Sequence, residues 1–293
     1  MLIQSKKSCD LSISNLKPTK FTNMNTTTLQ CMRNINERSA SLLLILLFCA
    51  DFMFIVVHCI QELTPLLNNV INNNLFSIGS DRGYAEIFQY IKWFWLIVLF
   101  TYLTISRRSF SYVAWGVTFL YLLCDDSLGI HERIGRLITG NLGFEPPFGL
   151  YPRDIGELAV SAVAGITLTP LLIWAYLRGS LAFKNMSQDL LLLVLVLAFF
   201  GVAVDTVHSI ARGLGLGLNA EFILGVIEDG GEMLIASLMI WYIFLLSVRD
   251  DICTSFLFDS VRLLLRDLPP DSESSPLNSL KILKTERQGS EDF

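Results

Sequence analysis

The sequence predicts an all-α, polytopic membrane bundle of six transmembrane helices with both termini cytoplasmic. Three observations carry this expectation. Apolar residues make up 52% of the chain against 17% charged. They are gathered into blocks close to the roughly 20 residues that cross about 30 Å of hydrocarbon. The lysines and arginines crowd onto alternate connections between those blocks, which fixes an orientation.

Residues 1–39 are polar, rich in Ser, Asn and Thr and without an apolar period, and read as a disordered or loosely ordered cytoplasmic tail. Met24 and Met32 are alternative beginnings that leave a short basic lead. The apolar run that follows reads as a span and not as a signal peptide, because it is too long and has no small-residue cleavage site. The transmembrane domain covers 40–248, with spans expected at 40–60, 87–105, 112–130, 158–177, 190–208 and 222–248. Basic residues of the N-terminal tail, Arg107 and Arg108, Arg178 and Lys184, and those from Arg249 onward mark the cytoplasmic side. Lys92, beside Trp93 and Trp95, is expected to be a snorkelling anchor in an aromatic belt. Pro170 is expected to kink the fourth span, which membranes tolerate. Segment 249–270 contains FLFDSVRLLLRDL, whose amphipathic and basic character suits a helix on the cytoplasmic surface, and 271–293 reads as a disordered polar tail.

A net charge of -5 provides no basic face for nucleic acid, so the partners expected are membrane lipids. Cys9, Cys31, Cys49, Cys59, Cys124 and Cys253 have no repeated spacing and indicate neither a disulfide framework nor a thiolate zinc site.

Ionisable residues inside the spans point to function, since hydrocarbon leaves them without partners. The stretch LLCDDSLGIHERIGRL carries Asp125, Asp126, His131 and Glu132 at the end of the third span. With a rise of about 1.5 Å per residue, Asp205 and His208 in the fifth span, Glu228, Asp229 and Glu232 in the sixth, and His58 with Glu62 in the first reach a similar depth near the outer face. Asp205 and His208 are three apart, and Glu228 and Glu232, like His58 and Glu62, are four apart, so each set lines one helix stripe. Gly225, Gly230 and Gly231 would let a neighbouring helix approach the sixth span closely.

So many carboxylates at close range must be protonated, paired with arginine or bound to a cation. Histidine nitrogen with carboxylate oxygen points to zinc, iron or manganese. The ligands expected are His131, Glu132, Asp205, His208, Asp229, Glu232 and His58, with Asp125 or Glu228 as the base in a metal-dependent hydrolase or oxidase acting on a lipid or other amphiphile, and Asp126 and Glu62 at its margin. A proton or cation relay through the same acids is the alternative, and Asp51 at mid-membrane fits it best. Structural polar packing is the third: Glu132 with Arg136 and Asp126 with Arg133 as ion pairs, His208 capping its helix, and Asp154 and Glu157 capping the fourth span.

CDDSLGIHER and IEDGGEML together resemble the acidic-pair/His-Glu and late acidic-pair, Gly, Glu-Met motifs of a group of uncharacterised bacterial multi-pass membrane proteins. That resemblance covers the third to the sixth span and implies that Asp125, Asp126, His131, Glu132, Glu228, Asp229 and Glu232 share one site in a bacterial inner (plasma) membrane protein. In architecture and residue type the chain is also loosely similar to the membrane hydrolase superfamily of alkaline ceramidases and progestin-receptor-like proteins. That likeness implies zinc held by histidines and an aspartate, although the late His-x-x-x-His pair of the receptor-like members is absent here.

Overall fold

The computed structural model describes residues 26–63, 74–140 and 150–249, and among these residues the regular structure is helix, with no strand. Helix α1 (Thr26–Leu63) begins ahead of the expected first span, and Arg38–Glu62 is its membrane-length part. A short 3-10 turn at Asn74–Phe76 precedes α2 (Tyr84–Ser106). Next come α3 (Ser111–Leu128), α4 (Ile130–Thr139) and α5 (Pro152–Arg178). Helix α6 (Leu181–Ala198) passes through a π-helical turn (Phe199–Val204) into α7 (Asp205–Gly213), and α8 (Leu218–Val248) follows. Segments 1–25 and 250–293, which hold Met24, most of the expected surface helix and the polar tail, lie outside the described residues.

Five of these helices are long and apolar enough to cross a membrane, and α3 with α4 makes a sixth only if the bent pair is one span. The third expected span, 112–130, matches α3 and ends in a break at Gly129. Gly129 adopts the left-handed conformation (φ 57°, ψ 48°), and the chain turns by 66° between α3 and α4. Glycine takes this conformation without a Cβ penalty, so it ends one helix and redirects the next. The fifth span differs. It starts at Leu181, where the Phe183 amide donates to Ser180 Oγ at 3.3 Å, and with the π turn it continues to Gly213. Pro170 lies inside an otherwise continuous α5.

Helix α8 is the hub. It packs on α1, α2, α6, the π turn and α7, and 44% of its most apolar window is buried against 6% for α5. Methionine, alanine and isoleucine on its buried face (Met233, Ala236, Met239, Ile240, Ile243) fill the centre. Helix α2 lies along α3 through stacked rings, Trp93 on Phe119 at 5.8 Å and Phe100 on Phe119 at 5.6 Å. Helices α4 and α5 touch through backbone. A Cβ on Gly135 would stand 2.7 Å from the Glu157 nitrogen, so only glycine permits that approach. Exposed Val163, Ile166 and Leu177 on α5 are the faces that hydrocarbon would cover.

Candidate functional site

At the α3–α4 corner, the turn at Gly129 brings α4 back toward the acids of α3. The His131 amide donates to Asp125 Oδ1 and its Nδ1 lies on Asp125 Oδ2, both at 3.0 Å. The Tyr121 hydroxyl feels the same carboxyl. Asp126 turns to α2, where Trp93 Nε1 donates to its Oδ2 at 2.7 Å and the Tyr90 hydroxyl to its carbonyl at 3.2 Å. The Asp126–Arg133 pair is therefore replaced by an aromatic donor. Glu132 does pair with Arg136, at 3.4 Å, and also with Arg153, at 3.3 Å. Asp154 caps α5 as expected, accepting from the Tyr151 amide at 3.0 Å, while Glu157 pairs with Arg153.

On the facing side, His208 does not cap α7 but lies with Nδ1 2.7 Å from Glu228 Oε2 and Nε2 3.2 Å from Arg212 Nη2. A guanidinium only donates, so Nε2 accepts. That leaves the proton on Nδ1, which donates it to Glu228. Glu228 also lies against Asp205. Two carboxyl groups at close range cannot both ionise.

The glycines serve the approach expected of them. The His208 ring rests on Gly225, and Ile55 of α1 on Gly230. The π turn is keyed to α8 in both directions: Phe200 fills the notch at Gly231, and Glu232 reaches the notch at Gly201, where a Cβ would stand 2.1 Å from its Oε1. π turns of this kind recur at functional sites. Asp229 faces Gly79.

Electrostatic contacts join these sets. Glu232 feels Asp126, Asp229, Glu228 and Asp205; Asp205 feels Asp154 and Glu157; and His131 feels Glu157. The structure thus brings together Asp125, Asp126, His131, Asp205, His208, Glu228, Asp229 and Glu232 at one end of the bundle. Glu86 of α2, which is not among the residues expected from the sequence, joins Asp126 and Asp229 there. His58 stands apart, stacked on Phe222 at 5.5 Å, and the acid that bears on it is Glu62. Among the described residues, no group of three or more His, Cys, Asp or Glu side chains is arranged to hold a metal ion. His131 and His208 stand in separate hydrogen-bonded sets. Each imidazole is held by its own carboxylate, and Arg212 takes the lone pair of His208 that a metal would need.

The largest departure from expectation is Lys92. It is no interfacial anchor. Its side chain and that of Asp51 are both 0% exposed, with Nζ 2.5 Å from Asp51 Oδ1 and 2.9 Å from the Met233 carbonyl. Ser237 donates to the other Asp51 oxygen at 2.6 Å, and the Phe88 ring lies 4.7 Å from Nζ. One signal was available in the sequence: Ala85, Gln89, Lys92, Trp93, Leu96 and Phe100 recur at helical spacing and form the buried face of α2. Further along α8, the Tyr242 hydroxyl donates to the fully buried Asp189 at 2.6 Å.

No curated protein and no solved structure matches the chain. The span-bearing part of the sequence, which contains both the acid-rich end and the Asp51–Lys92 pair, is what a family model matches, over residues 40–248; the chain belongs to the family described as Domain of unknown function (DUF8692).

Proposed function

We propose that this is an integral membrane protein that conducts protons, or couples them to a cation, along α8. One observation carries this: buried ionisable groups do not stop at the acid-rich end but continue across the bundle. From Glu228 to Ser237, beside Asp51 and Lys92, is about 14 Å along the helix, and from there to Tyr242, beside Asp189, about 8 Å more. A relay needs such a succession, since each intramembrane charge is costly and persists only with a partner. In this proposal α3 and α4 form one broken span and six spans cross the bacterial inner (plasma) membrane. The acid-rich end lies at the outer face and both termini lie in the cytoplasm, in keeping with the placement of Lys and Arg.

The test is proton flux into liposomes carrying the purified chain and an internal pH dye, driven by an imposed membrane potential. The expected result is a flux above that of protein-free liposomes which falls about tenfold in Glu228→Gln, one hydrogen-bonded proton site being worth about 1.4 kcal/mol. Flux equal to the protein-free control would overturn the proposal.

A second reading is favoured by the contiguity of Asp205, His208 and Glu228: a metal-dependent hydrolase or oxidase using zinc, iron or manganese on a membrane lipid. It requires Arg212 to release Nε2 of His208, with Asp125 or Glu228 left as base. Metal analysis of the purified protein decides between them. Near-stoichiometric metal that is lost in His208→Ala supports the enzyme, and its absence supports the relay.

A further inference from the structure

The surroundings of Lys92 are those of a cation site. Its ammonium is gripped by the Asp51 carboxylate and the Met233 carbonyl, Ser237 holds the second Asp51 oxygen, and the Phe88 ring covers one side. Carboxylate, carbonyl and hydroxyl oxygens are the donors that hard cations take. We infer that Asp51, Ser237 and the Met233 carbonyl form an exchange site at which a small monovalent cation of sodium class competes with the ammonium of Lys92.

Charge decides both the valence and the exchange. One carboxylate balances one positive charge, whereas a divalent ion would leave an uncompensated charge in an apolar interior. For the same reason Asp51 cannot hold a metal cation and an ammonium together, so cation entry requires Lys92 to give up a proton. Neutral lysine tolerates burial, and its four-carbon stem lets the amine move aside. The exchange is therefore one cation in and one proton out, with the proton leaving to water through the acid-rich end.

The neighbourhood agrees with this. Asp51 is the charged group that acts on Lys92, and Lys92 the one that acts on Asp51. Glu232 on α8, His58 on α1, and Tyr90 followed by Glu86 on α2 stand next along each helix toward the acid-rich end, while Asp126 of α3 is held by Trp93. One turn from Lys92, Gln89 is 7% exposed, and neither its amide nitrogen nor its oxygen has a hydrogen-bond partner. A buried amide without partners on the approach to the site is placed to receive an entering cation or its water.

The inference rests on the proton-conducting reading for its role in the membrane, but binding can be tested without transport. In weakly buffered detergent solution, sodium chloride replaces N-methylglucamine chloride at constant ionic strength while a dye reports released protons and radiolabelled sodium reports binding. The full-length chain should release about one proton per sodium bound. Asp51→Asn should abolish both signals. Lys92→Met, with the site open, should bind sodium without releasing a proton, and Ser237→Ala should weaken binding about tenfold, the effect of one charge-assisted hydrogen bond. Size-exclusion profiles identify any variant that fails to fold, and the remaining variants then decide. Wild-type protein that binds no sodium, or binds it without proton release, overturns the inference. Sodium-independent flux in the liposome assay would at the same time leave the proton-conducting reading standing, and absent flux would remove it.

Discussion

Two groups of ionisable side chains share this bundle and follow opposite rules. At mid-helix, Asp51 and Lys92 form a matched pair with no exposed surface, one charge of each sign and Ser237 closing the remaining valence. At the acid-rich end, Asp125, Asp126, Asp205, Glu228, Asp229 and Glu232 outnumber the cations that face them, and Glu228 leans on both His208 and Asp205. A matched pair derives its stability from complementarity, so removing one member strands the other. A surplus of carboxyls holds protons because they cannot all ionise, so removing one relieves its neighbours.

The largest effect should come from breaking the matched pair. Lys92→Met leaves Asp51 buried and unpaired, and thermal unfolding in detergent should show a loss of about 3–5 kcal/mol. Adding Asp51→Asn should restore most of it, and a double-mutant cycle measures the coupling. If both single variants melt like the parent, the pair is not as sealed as the geometry has it. Glu228→Gln sharpens the contrast from the other side. It removes one of two carboxyls competing for a proton, so the melting temperature should stay level or rise while proton flux falls. A clear loss of stability would mean that Glu228 works as a matched partner of His208.

A smaller effect is expected of Gly201→Ala. The added methyl meets the flexible end of Glu232 and not backbone, and alanine favours helix, so the net change should stay within about 1 kcal/mol. Flux should drop with the displaced carboxyl, which separates a positioning role of the π turn from a purely architectural one. The smallest effect belongs to Arg136→Ala. Its side chain is 54% exposed beside Glu132, and exposed helix pairs of this kind contribute under about 0.5 kcal/mol. A larger loss, measured by the same melts, would place that corner in a drier environment than its exposure indicates.

Much of the acid-rich end is legible in the sequence. Spacing placed Asp205 with His208 and Glu228 with Glu232 on shared stripes, and rise per residue put α3, α7 and α8 acids at one depth. What spacing could not show was which acid each histidine would meet. His58 has the right depth and still lies outside the acid network, stacked on Phe222. Depth along an axis is a one-dimensional quantity, whereas partnership also depends on the rotation of each helix and on its neighbour. Lys92 was misplaced for a related reason. Flanking tryptophans are the usual mark of an interface, but the helical stripe through Ala85, Gln89 and Leu96 outweighed them by turning Lys92 inward.

By itself the sequence determined the helical membrane architecture, because runs of apolar residues near the thickness of a bilayer admit few other structures, and it determined which acids share a stripe, because helical periodicity is local. Tertiary structure alone decided the break at Gly129, since a glycine permits the left-handed turn but does not demand it. It also decided that Lys92 meets Asp51 41 residues away and that Ser237 reaches the same carboxylate across 186 residues. Those contacts depend on how three helices are rotated against one another. That rotation is set by the packing of whole faces, Met233 and Ala236 of α8 among them, and no local stretch of the chain encodes it.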